Sequence, residues 1–236
     1  MTNHLPHQNS VRYFCSRPHD VHQSYLDPFV YNHTMTSQYQ QATQFLSAID
    51  TDWAALIHHV GACELVLKPE REPYEALVRA VAYQQLHTKA GDAILGKFIH
   101  HFGRFPTPQQ LITAEFSDLR AAGFSGRKIE TLKDIAAGAL NGLIPSRTTA
   151  DGMSDEVLIE RLVTLKGIGQ WTVEMMLIFT LARMDILPAD DFGVTNGYRR
   201  LKKLDTTPTR KQMAHIGNAW SPYRTVASWY LWRVPK

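Results

Sequence analysis

An all-α fold is predicted for this 236-residue chain by three observations. Apolar residues recur at helical spacing almost without a break from Ser37 onward, the pattern of amphipathic helices laid on a core. Strand-like alternation is scarce: Glu64-Leu65-Val66-Leu67 is the best candidate, and it is short. Helix punctuation falls between the periodic segments. Gly103, Gly123 and Gly142 mark stops or turns, while Ser154, with Val157 and Leu158 behind it, and Thr209, after Pro208, mark starts.

Taken in order, residues 1–35 read as a disordered or extraneous N-terminal tail, rich in His, Gln, Asn, Ser and Tyr without steady periodicity. Met35 stands just ahead of the first amphipathic pattern and is expected to be the natural start. His4, His7, His19, His22 and His33 are irregularly spaced in that tail, so no metal site is expected from them. Helices are then expected over 37–49, 53–60, 74–102, 108–113, 115–121, 125–141, 154–163, 170–182, 191–204, 209–216 and 222–232. Residues 148–152 read as a hinge or a surface loop. The core, 36–236, is expected to form two helical lobes that meet around the central helices.

Composition narrows the class. Hydrophobic residues make up 44% and charged residues 20%, the balance of an ordinary soluble domain. No apolar run approaches the roughly 20 residues of a membrane span, and no apolar leader opens the chain. Two cysteines, Cys15 and Cys63, provide no disulfide framework, and a reducing setting fits. The net charge of +3 is unevenly spread. Arg199, Arg200, Lys202, Lys203, Arg210, Lys211, Arg224, Arg233 and Lys236 face one acid, Asp205, in the last stretch of chain. That basic end reads either as a phosphate footprint or as a solvated helix face.

The chemistry concentrates in two segments. Leu165-Lys166-Gly167-Ile168-Gly169-Gln170-Trp171-Thr172 is a tight turn between two helices. Its glycines let the backbone approach another backbone, and the following helix offers free amides and a positive dipole end to a phosphate. Pro188-Ala189-Asp190-Asp191-Phe192-Gly193-Val194 then places carboxylates at the start of the next helix, where either is also an ordinary N-cap. A Gly-x-Gly turn alone equally fits a structural connection.

Together, these segments resemble the helix-hairpin-helix DNA glycosylase superfamily, named for that hairpin plus a Gly/Pro-rich loop and an aspartate. Residues 162–173 match the hairpin and residues 188–194 the loop and aspartate. Ala80-Val81-Ala82-Tyr83-Gln84-Gln85-Leu86-His87 is similar to its lesion-probing helix and loop. The Gly-Ile-Gly-x-Trp-Thr and Asp-Asp-Phe-Gly-Val pieces resemble the alkylbase branch, the 3-methyladenine glycosylase II type. The resemblance implies a monofunctional glycosylase acting on alkylated purines in double-stranded DNA. Relatives with lyase activity carry a Schiff-base lysine where this chain has Trp171, and cluster-bearing relatives need four C-terminal cysteines, whereas none follows Cys63.

Residue by residue, the resemblance makes Asp191 the catalytic carboxylate and Trp171, Met175, Phe192 and Trp232 the pocket. Met175 departs from the Tyr of the best-known pattern, which leaves the substrate range open. Leu86 is the expected wedge, flanked by Gln85 and His87 in the minor groove; the same run read from its residues alone equally fits a polar surface with one buried Leu. Gly167, Ile168, Gly169 and Thr172 are expected to bind DNA. The carbonyls of Val163, Leu165 and Ile168 are expected to hold a monovalent cation, Na+ or K+; no other cofactor is implied. A monomer in the cytoplasm or nucleus is expected. Trp53, Trp220 and Trp229 are assigned to the core. A damage-binding module without excision, or a glycosylase for other bases, would share the scaffold; Asp191 favours excision.

Overall fold

The structure, a computed structural model, describes residues 28–236. The chain runs α1 (Pro28–Ser47), α2 (Thr51–Val60), α3 (Pro73–Tyr83), α4 (Thr88–Phe102), α5 (Pro108–Thr113), α6 (Phe116–Ala122) and α7 (Gly126–Leu140). It continues through α8 (Arg147–Asp151), α9 (Asp155–Leu162), α10 (Gln170–Phe179), α11 (Phe192–Leu201) and α12 (Arg210–Ile216), then a 3-10 turn (Gly217–Trp220) and α13 (Arg224–Leu231). Among the described residues there is no strand; Glu64 to Leu67 is irregular chain, followed by Lys68, whose amide donates to the Phe179 carbonyl at 2.6 Å.

Local chemistry explains most boundaries. Asp50, Thr107, Ser125, Ser154 and Thr209 each accept first-turn amides as N-caps, and Thr107 and Thr209 do so in reciprocal capping boxes with Gln110 and Gln212. Gly103 and Gly123 close α4 and α6 in the left-handed conformation.

Several expectations are corrected. The first helix begins at Pro28, not near Ser37, so it takes in residues expected in the tail. Met35 lies inside it, partly buried against the core. His4, His7, His19 and His22 fall outside the described residues. The single helix expected over 74–102 is two, α3 and α4, parted by a turn at Gln84 to His87. Residues 148–152, expected as a hinge or a surface loop, are not a loop. Most of them form α8, and Arg147 pins it by donating to the carbonyls of Arg71 and Thr180.

Two packing groups emerge. α1, α2, α11, α13 and the 3-10 turn form one lobe, built from both ends of the described chain. α3 to α7 form the other, with α9 and α10 joined to it through the α3–α10 contact. Trp53 and Trp220 meet edge to face at 5.3 Å in the first lobe, and both are buried, as is Trp229. The start of α11 meets the first turn of α10 across the join.

Candidate active site

Asp191 is the N-cap of α11. It is 4% exposed, and its Oδ1 accepts the Val194 amide at 2.8 Å. The N-cap and catalytic readings of this residue are therefore not rivals: capping is what holds the carboxylate still. The same oxygen accepts the Trp232 indole N–H at 2.9 Å, and Oδ2 accepts that of Trp171 at 2.8 Å. Two aromatic rings from α10 and the end of α13 thus converge on one acid. Asp190, the other candidate cap, is exposed.

The partners are delivered by helix packing. Trp171 sits in the first turn of α10 and Trp232 directly after α13. α13 comes close because Gly197 of α11 has no side chain: a Cβ there would stand 2.1 Å from the Leu231 carbonyl oxygen. Phe179 stacks on Trp232 at 6.1 Å and 13°. The sequence reading missed Phe179, yet it continues the i, i+4, i+8 stripe that Trp171 and Met175 begin on α10. Met175 is half-buried against the core, whereas the Phe192 ring is 61% exposed and available to a ligand.

Beside this acid lies the hairpin, α9, the turn and α10. Gly167 has φ 80°, and a Cβ on it would meet Thr131 Oγ1 at 2.4 Å. Gly169 has room around it and caps α10 with φ −92°. Among the described residues no backbone carbonyl meets the amides of Gly167, Gly169 and Gln170. That is the arrangement an anion needs at a helix start. Ile168 is buried and anchors the turn. Thr172 corrects the expectation of a DNA contact. It is 4% exposed and its amide is spent on the Gly169 carbonyl, because the first turn of α10 rolls it into the core.

Gln170 opens α10 and donates to Glu174 at 2.8 Å, while Arg210 donates to the Gln170 side-chain oxygen. Glu174 is 6% exposed. Burial raises its carboxyl above the usual value, with the Gln170 bond acting in the opposite sense.

Across from the hairpin, the α3–α4 turn exposes Gln85, Leu86 and His87 together. Gln85 adopts φ 57°, and the Leu86 amide closes the turn on the Tyr83 carbonyl at 3.1 Å. Gln84 donates its side-chain amide to the Gly167 carbonyl at 3.2 Å, so the turn and the hairpin touch.

The basic C-terminal stretch is only partly a free surface. Lys202 spans Asp50 and Asp52 at 2.6 and 2.8 Å, and Arg224 forks onto Asp185. Arg200 donates to the Val234 carbonyl, and Arg233 lies over the Trp229 ring at 3.6 Å. These cations hold the lobe together before they can attract anything. Among the described residues there is no cluster of His, Cys, Asp or Glu fit for a metal, and no helix is long and apolar enough to cross a membrane.

An indole-braced acid, open hairpin amides and an exposed turn on a two-lobed helical frame define a base-excision DNA repair fold. The chain belongs to the HhH-GPD superfamily of base excision DNA repair proteins, whose model matches residues 78–222. It is 48% identical over 194 residues to DNA-3-methyladenine glycosylase 1 of Schizosaccharomyces pombe, covering 81% of this chain and 85% of that protein. The alkylbase DNA glycosidase-like protein mag2 of the same yeast is 39% identical over 203 residues, with 85% and 95% covered. Among solved structures, the S. pombe 3-methyladenine DNA glycosylase in complex with abasic DNA superposes with a TM-score of 0.75 at 46% identity. That match covers 82% of this chain and 95% of the other. A DNA-3-methyladenine glycosidase from Bacillus halodurans matches with a TM-score of 0.73 at 35% identity, covering 81% and 88%.

Proposed function

We propose that this protein is a monofunctional DNA glycosylase that excises alkylated purines from double-stranded DNA and leaves an abasic site. The observation that carries the reading is Asp191, held by two indole N–H groups and its own helix amide at the join of the lobes. The names of the relatives and the abasic-DNA complex of one of them support it.

The chemistry follows from charge. As the N-glycosidic bond stretches, C1′ gains oxocarbenium character. A carboxylate fixed beside it stabilises that charge and orients an attacking water. A purine alkylated at N3 or N7 is already cationic and departs without a strong general acid, so one carboxylate suffices. Trp171, Phe192, Trp232 and Met175 would line the site of the flipped base, where aromatic faces favour an electron-poor ring. With Trp171 in the lysine position, no amine attacks the sugar and no strand-cleaving step follows.

On the DNA side, the amides of Gly167, Gly169 and Gln170 would grip a backbone phosphate, and Ile168 keeps the turn in place. Leu86 would fill the gap left by the extruded nucleotide, with Gln85 and His87 against neighbouring bases. The carbonyls of Val163, Leu165 and Ile168 fit a Na+ or K+ ion. They are hard oxygen donors in the hairpin, and those of Val163 and Ile168 accept no loop or cap amide among the described residues. Held there, such an ion would add positive charge beside the phosphate-gripping amides; the proposed reaction calls on no other cofactor. We infer a monomer that works wherever the cell keeps its DNA, nucleoid or nucleus.

The test is base release from methylated duplex DNA by wild type and Asp191→Asn. Asparagine retains the capping oxygen but removes the charge, so release is expected to fall about 10²-fold or more while duplex binding persists. Binding without release by wild type would instead establish a damage-recognition module.

A further inference from the structure

Lys128 belongs to neither the pocket nor the hairpin. It lies in the first turn of α7, half-buried, and its ammonium donates to the Ala82 carbonyl at 3.1 Å and the Gln84 carbonyl at 2.9 Å. Among the described residues no carboxylate pairs with it. Burial lowers its pKa below the usual lysine value, and no neighbouring charge offsets that cost. A half-buried cation kept for two backbone carbonyls calls for a reason.

Those carbonyls bracket the point where α3 ends. Ala82 is in the last turn of the helix, while Gln84 has already left it, with ψ 126°. Lysine is well matched to the negative end of a helix. Here one ammonium ties the helix end to the first peptide beyond it and so fixes the angle at which the chain turns. The next residue, Gln85, is a non-glycine at φ 57°, a conformation that persists only where its surroundings enforce it. Two further contacts enforce it. Gln84 reaches the Gly167 carbonyl, and the Tyr83 ring packs where Gly91 has no Cβ, one that would sit 2.2 Å from the ring.

A wedge is under load. Unstacking a base step costs free energy, and a turn of exposed residues would recoil under that cost unless braced. We propose that Lys128 is a positioning residue for base extrusion: by gathering the carbonyls of Ala82 and Gln84 it braces the turn that presents Leu86. Through the Gln84–Gly167 bond, the same brace keeps the wedge in register with the phosphate-gripping hairpin. This assignment rests on the reading of Leu86 as the wedge.

The experiment compares wild type, Lys128→Met, Lys128→Arg and Leu86→Ala. Single-turnover release of 7-methylguanine is measured from duplex and from single-stranded DNA, where nothing need be unstacked. In parallel, 2-aminopurine fluorescence beside an abasic analogue reports unstacking in the duplex. Lys128→Met is expected to slow duplex release about tenfold, the weight of a charge-assisted hydrogen bond, with the fluorescence rise reduced in step. Single-strand release should stay within about twofold of wild type, and Lys128→Arg should recover most of the duplex rate. Lys128→Gln, which keeps one donor, serves if the Met variant does not fold.

Equal losses on both substrates would overturn the assignment, as would a Met variant that matches wild type on duplex. If Leu86→Ala slows duplex release and Lys128→Met does not, the Lys128 inference alone falls. If Leu86→Ala changes nothing, the wedge reading falls with it.

Discussion

Gly167 and Gly169 stand on either side of Ile168 in one turn and answer to different constraints. Gly167 needs its positive φ and its bare Cα, because Thr131 occupies the space a side chain would take. Gly169 needs neither: its φ is ordinary, and nothing of the protein lies within reach of a Cβ. Gly167→Ala is therefore expected to cost about 1–3 kcal/mol of stability, seen as a lower Tm. Gly169→Ala should melt like wild type yet bind DNA more weakly, because the added methyl stands where a phosphate must approach. Equal loss of stability in the two variants would contradict this division. The sequence supports one reason for both glycines; the structure separates a glycine that the packing requires from one that it does not. Thr172 teaches the converse. A residue in a matched motif is buried once the helix phase is known, and no motif carries phase.

At the scale of elements, the crossing of α11 and α13 decides whether Trp232 meets Asp191. Trp232 reaches Asp191 only because α13 lies against the bare face of α11 at Gly197. Gly197→Ala is expected to push the helices apart, at about 1–3 kcal/mol of stability. Excision should fall with it, because the indole leaves the carboxylate. Wild-type kcat in a folded Gly197→Ala enzyme would show that the Trp232 bond is dispensable. Most helices were legible from periodicity and caps, since those signals are local. The break between α3 and α4 was not legible in periodicity; only the family resemblance, with its helix and loop over residues 80–87, pointed to it. No glycine or proline marks residues 84–87; the turn is set by Lys128, Gly91 and Gly167, which lie elsewhere in the chain. Likewise Phe179 gains its place only when α13 brings Trp232 over it.

For the whole molecule, the chain closes on itself: α1 and α2 pack with α11 and α13, and Lys202 ties α11 to the start of α2 through Asp50 and Asp52. Charge counting along the sequence leaves Lys202 in either a phosphate footprint or a solvated helix face, but the fold spends it internally. Lys202→Met should therefore lower stability by roughly 1 kcal/mol or somewhat more, since the pair is partly buried. The slope of log DNA affinity against log salt should stay unchanged, whereas loss of a phosphate-binding lysine lowers it by nearly one unit. A reduced slope for Lys202→Met would return the residue to the DNA interface. The helical class and the family were visible in the sequence because they rest on periodicity, spacing and a motif. Which cations remain for DNA was not, because pairing depends on contacts between the two ends of the chain.

A genome presents on the order of 10⁶ to 10⁹ ordinary sites against which a lesion must be found. The bracing of Asp191 bears on that contest. In the proposed reaction, a carboxylate held by the Val194 amide and the Trp171 and Trp232 indoles contributes a stationary negative potential and a fixed point for the attacking water, but no proton for the leaving base. Such a potential hastens the exit of a base that already carries positive charge. It gives small help to an intact purine, which must first acquire a proton from somewhere. The two indoles would then act as a restraint as much as a support, and fidelity would come from the assistance the site withholds.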